Sequence, residues 1–209
     1  MTIAVTGPFA SGKSTFVRLL GELGAETVSA DEIVHDLLAE DEQTISRVVE
    51  RFGSDVLKSE VLKDRSVDRR ALARKVFGDP EALRDLEDIL HPLVRRETER
   101  RVVASGADLF VTEVPLLFEG ESSGDYDYTV AVVVPEERRR AWAAERGVDE
   151  AALRAIEARQ LGQEQKAQRA DVVVQNDADL DRLRRQAEEL RVRISRERSS
   201  GGSLQQQEP

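Results

Sequence analysis

Near the amino end, Val5 to Thr15 read VTGPFASGKST, which sets Gly7, Gly12, Lys13 and Ser14 in the spacing Gly-x-x-x-x-Gly-Lys-Ser. In that pattern, backbone N–H groups between Gly7 and Ser14 wrap the β- and γ-phosphates of a nucleotide. Lys13 adds a point charge to the same oxygens, and the Ser14 hydroxyl holds Mg²⁺. The middle of the loop is less usual, because Pro8 has no N–H to offer and Ala10 adopts positive φ less cheaply than glycine.

Phosphoryl transfer also needs a carboxylate at the acceptor hydroxyl and arginines that close over the phosphates and exclude water. Asp31 is the candidate base: it ends a second short strand, at the edge where open α/β sheets place their ligands. The same residue would serve well as the N-cap of a helix over 32–39, and the two roles are compatible. Glu113, closing LFVTE, is placed to contact a magnesium-bound water or to be a solvated strand end. Pro115 and Glu119, in VPLLFE, would shape the wall of the site.

The rest of the chain narrows the class. No Asn-Lys-x-Asp or Leu-Ser-Gly-Gly motif occurs, which disfavours GTPases and ABC-type ATPases and leaves a small-molecule kinase as the leading reading. With 209 residues, 40% of them apolar, the chain makes one domain of ordinary size with room for an insertion. A formal charge of −10 argues against a nucleic-acid partner and requires locally placed arginines for an anionic substrate. There is no cysteine and only His35 and His91, so any metal should be a hard, oxygen-bound ion. No apolar run long enough for a membrane span and no leader pattern follows Met1, so a cytoplasmic location is expected, with no membrane and no required protein partner evident.

The elements needed to hold these residues are readable. Strands are predicted at Thr2–Thr6, Glu26–Ala30, Asp108–Val114, Tyr126–Val134 and Asp171–Gln175, with helical periodicity after Lys13 and after Asp31. Residues 1–40 and 106–196 form the nucleotide-binding core, and 41–105 a nearly all-helical insertion with a break near His91–Pro92. Residues 136–169 are helical and balanced in charge. A terminal helix spans Leu180 to about Ile194 with Leu183, Ala187, Leu190 and Ile194 on one face. The polar stretch 197–209 is expected to be disordered.

Several segments together resemble one family. Gly12-Lys13-Ser14-Thr15, Ser29-Ala30-Asp31-x-Ile33-x-His35, DRRALARKVF, LHPLVRRE, VPLLFE and the late ARQ…RADVVVQN are similar to dephospho-CoA kinases over nearly the whole chain to about residue 195. The resemblance implies a three-layer α/β P-loop kinase fold with a parallel sheet, a helical substrate-binding insertion and a helical lid. It implies transfer of the ATP γ-phosphoryl group to the ribose 3′-hydroxyl of dephospho-CoA, with Mg²⁺. By position, Asp31 is the base, Ala10, Ser11, Gly12, Lys13, Ser14 and Thr15 bind ATP, and Asn176 lies near the adenine. Arg139, Arg140 and Arg146 fall in the lid, with Arg139 or Arg140 stabilising the transferred charge. Arg69, Arg70 and His91 fall in the acceptor-binding insertion. The chain departs from the family pattern at Ser29, where an aspartate is common, at Pro8-Phe9-Ala10, and at Trp142, where an arginine is frequent. Two rival readings are a kinase of nucleoside monophosphates or another small metabolite, and a protein that senses ATP without transferring phosphate.

Overall fold

In the computed structural model, the structure describes residues 1–58, 65–120 and 122–201. Five strands, β1 (Thr2–Thr6), β2 (Glu26–Ser29), β3 (Phe110–Glu113), β4 (Tyr128–Val133) and β5 (Val172–Gln175), form one sheet in the order β2-β3-β1-β4-β5. The pairs β1–β3, β1–β4 and β4–β5 are parallel, with Ile3 opposite both Val111 and Tyr128. Parallel strands are covered on both faces, and β1 and β4 accordingly read as near-continuous apolar runs. β1 matches its predicted span, and the other strands lie inside theirs, trimmed by one or two residues at one or both ends.

The chain divides into two compact units, Met1–Thr27 with the residues from Ala107 onward, and Val28–Gly106. In the first, α1 (Lys13–Glu22) and α9 (Leu180–Gly201) bury Phe16, Leu19, Leu20, Leu183, Ala187, Leu190 and Ile194 against Ile3, Val5, Val111, Val130 and Val132. Burial of each of the larger side chains among these, Ala187 excepted, stabilises by about 2 kcal/mol. Between β4 and β5 lie three short helices, α6 (Glu136–Glu145), α7 (Glu150–Glu157) and α8 (Gln163–Arg169).

The terminal helix runs on to Gly201, so residues 197–201, expected in a disordered tail, are helical. Glu197 explains part of the extension: it accepts from the Tyr128 hydroxyl and pairs with Arg193 one turn earlier. The rest of the expected tail, 202–209, lies outside the described residues.

The second unit is helical: α2 (Ala30–Glu40), α3 (Glu42–Phe52), α4 (Arg69–Val76) and α5 (Pro80–Ser105) enclose Leu38, Ile45, Val48, Phe52, Leu72 and Leu90. It begins before the expected boundary at residue 41, because Leu38 of α2 joins this core. The expected break at His91–Pro92 is absent. Pro92 is exposed while Leu90 and Leu93 are buried, so the hydrogen bond that proline removes lies on the solvent side and the helix continues. No helix among the described residues is long and apolar enough to cross a membrane.

Candidate active site

The phosphate loop leaves the central strand β1 at its carboxyl end and enters α1 at Lys13, with strands β3 and β4 on either side. Two of its glycines are obligatory for different reasons. Gly7 has φ +149° and a Cβ there would sit 2.4 Å from the Val132 carbonyl oxygen. Gly12 has φ +88° and a Cβ would sit 2.2 Å from Asn176 Nδ2. That amide group donates to the Ser11 carbonyl at 2.9 Å, so the buried Asn176 braces the loop from beneath.

Three observations suit the loop to an anion. The first turn of α1 carries no acidic residue, leaving its N–H groups and positive dipole end uncontested. The Ser11 hydroxyl is buried and has no hydrogen-bond partner. Lys13 is buried on the loop, with Nζ donating to the Pro8 carbonyl at 2.9 Å. Ser14 Oγ donates to Glu113 Oε1 at 3.0 Å, so the helix start and the end of β3 bring a hydroxyl and a carboxylate together. Those are the hard oxygen donors that Mg²⁺ takes. Thr15, the last loop residue, is half-buried.

Ala10 does adopt the left-handed conformation, at φ +60°. Its methyl group is buried with Ala143 and Leu153, and Phe9, Trp142 and Val148 pack on the same cluster. Such packing offsets the roughly 1–2 kcal/mol that an alanine loses at positive φ. The loop is thereby joined to α6 and α7 by apolar contact, and Phe9 N–H is held by Gln160 Oε1 at 3.2 Å.

The lid arginines divide into two kinds. Arg139 is buried between Glu136 and Glu157; burial opposes its charge, but the two carboxylates hold its pKa above the ordinary guanidinium value. Arg140 is paired with Glu136 at 2.8 Å and Glu150 at 3.3 Å. Both are therefore engaged inside the lid. Arg146 instead is exposed, and its guanidinium lies 5.8 Å from the centre of the Phe9 ring, over the phosphate loop itself. Glu119 is likewise engaged, paired with the buried Lys166.

In the helical unit, the N-cap of α2 is Ser29, whose Oγ accepts from Asp31 N–H while Glu32 reaches back to Ser29 N–H at 3.2 Å. The Asp31 carboxylate is exposed and not used as the cap. Arg69 Nη1 lies 3.2 Å from His35 Nδ1, while Arg70 and His91 are exposed. The first unit thus brings together Gly7, Ser11, Gly12, Lys13, Ser14, Glu113, Arg146 and Asn176. The second holds Asp31, Arg69, Arg70 and His91. Reading the residues in order missed the lid pairing, although Glu136 stands three and four residues before Arg139 and Arg140, the spacing of helical ion pairs.

A glycine-demanding phosphate loop at the centre of a parallel sheet, followed by a helical lid, defines a P-loop kinase. A shikimate kinase from Acinetobacter baumannii shares the fold, with a TM-score of 0.54 at 17% identity over 93% of each chain. The family model for dephospho-CoA kinase matches residues 1–182, and the chain belongs to the dephospho-CoA kinase family. A dephospho-CoA kinase from Protochlamydia amoebophila is 37% identical over 90% of this chain and 93% of its own. One from Symbiobacterium thermophilum is 39% identical over 89% and 78%. The solved dephospho-CoA kinase from Campylobacter jejuni aligns with a TM-score of 0.60 at 25% identity over 92% and 96%.

Proposed function

We propose that this chain transfers the γ-phosphoryl group of ATP to the ribose 3′-hydroxyl of dephospho-CoA, giving CoA and ADP. The observation that carries the reading is a phosphate loop with Lys13 and Ser14 in place, faced by Glu113 from the end of β3, within a chain matched by the dephospho-CoA kinase model over residues 1–182. Loop N–H groups and Lys13 hold the phosphates, and Ser11 Oγ offers a donor that has no other partner. When bound at Ser14 and Glu113, Mg²⁺ supplies positive charge against the phosphate oxygens. Asp31 accepts the proton of the 3′-hydroxyl as the new P–O bond forms, a role supported by Ser29 taking over the cap. Arg146, rather than Arg139 or Arg140, meets the charge on the transferred group, because those two are already neutralised within the lid. Arg69, Arg70 and His91 are assigned to the acceptor, and Asn176 to the adenine side through its hold on the loop.

ADP release tests the reading, with purified protein and MgATP supplied in turn with dephospho-CoA, AMP, CMP, shikimate or no acceptor. Dephospho-CoA alone should raise the rate. Stimulation by AMP or CMP would make it a nucleotide kinase, and ATP binding with no stimulated turnover would make it a sensor.

A further inference from the structure

Among the basic residues of 135–169, Lys166 is the single lysine, and nothing in its spacing marks it. In the structure its side chain, in the middle of α8, is fully buried. Its Nζ donates to the Pro115 carbonyl at 2.9 Å and to the Glu119 oxygens at 2.7 and 3.0 Å. An ammonium has three donors, and all three are used.

Two of these acceptors, the Pro115 carbonyl and Glu119 Oε1, also serve a second donor. The Pro115 carbonyl accepts from Thr6 Oγ1 at 3.2 Å, and Thr6 is the last residue before Gly7. Glu119 Oε1 accepts from Leu161 N–H at 2.7 Å, and the adjoining Gln160 is the residue that holds Phe9 N–H. Pro115 itself follows two residues after Glu113, the partner of Ser14. A buried charge pair is a weak source of stability, and apolar replacements of similar volume are often neutral or better. Holding three separate segments in one register is a task an apolar pair cannot perform.

We infer that Lys166 is a positioning residue for the nucleotide. It ties the root of the phosphate loop, the Glu113–Pro115 segment and the return of the lid at Leu161 to a single buried cation. The inference rests on the loop being an ATP site, not on which acceptor is phosphorylated.

The test compares wild type with Lys166→Met and with the double variant Lys166→Met, Glu119→Leu, each assayed below its melting temperature. Melting temperature, ATP affinity by calorimetry, and separate KM values for ATP and acceptor are read. The double variant should melt at or above the Lys166→Met temperature, yet bind ATP more weakly and lose about 100-fold in kcat/KM for ATP, with acceptor KM unchanged. Wild-type ATP affinity and kcat/KM in the double variant would overturn the inference, leaving Lys166 a filler of the fold. If wild type binds ATP but prefers another acceptor, the proposed substrate fails while the ATP titrations still decide the role of Lys166.

Discussion

The two units keep their polar side chains in opposite places. The nucleotide unit buries Thr6, Ser11, Lys13, Arg139, Lys166 and Asn176, most of them bonded across the chain to distant segments. In the helical unit the buried polar side chains among the described residues are Thr44 and Thr98, each bonded within one turn, to Asp41 and to the Val94 carbonyl. Its charged residues are at the surface, in pairs such as Arg51–Asp85 and Arg101–Asp36. The nucleotide unit is built in advance around a fixed anion geometry, which is the arrangement that electrostatic catalysis rewards. The helical unit rests mainly on apolar packing, with Asp31, Arg70 and His91 exposed.

That contrast can be broken most severely at Asp31. Asp31→Asn should lower kcat by about 10²–10⁴-fold while melting temperature and ATP affinity stay at wild-type values; near-normal turnover would remove it as the base. Next comes a pair of lid variants expected to behave oppositely. Arg146→Met should cost about 10³-fold in kcat with no change in melting, because the side chain is exposed. Arg139→Met should leave kcat within a few-fold but lose about 2 kcal/mol in chemical denaturation, since its partly exposed carboxylate partners are stranded. If Arg139→Met loses turnover without losing stability, the division of the lid arginines is wrong.

The smallest effect is on pH. Arg100 and Arg101 hold Glu97 down from 4.5 to about 2 in the folded helical unit. A depressed carboxylate pKa contributes stability that is fully present above the unfolded value and disappears as pH falls through the folded one. Between about pH 4.5 and 2 the protein should therefore lose roughly 1 kcal/mol that the Glu97→Gln variant does not lose over the same window. Equal acid sensitivity in the two proteins would show that the pair adds nothing.

Much of the nucleotide unit was legible because its signals are local. The loop spacing, the apolar strand runs and the Leu183–Ala187–Leu190–Ile194 face all survive in the structure. So was the cap: Ser29-Ala30-Asp31-Glu32 has the capping-box spacing, and with Ser29 as the cap the Asp31 carboxylate is left out of it. What could not be read depended on partners far along the chain. Arg139 meets Glu157 across a turn, Lys166 meets Glu119, and Ala10 finds its place at positive φ only because Ala143 and Leu153 cover it. The uninterrupted passage through Pro92 likewise depended on which side of α5 faces water.

The strand order also constrains how the molecule is made on the ribosome. β1 emerges first, but its neighbours Phe110–Glu113 and Tyr128–Val133 follow more than a hundred residues later, and the Asn176 brace later still. The helical unit is one continuous stretch, Val28–Gly106, and is complete before any of these. A nascent chain thus finishes its helical unit while its first strand still waits unpaired. A chain stalled before Asn176 would carry the helical unit complete and a phosphate loop without its brace.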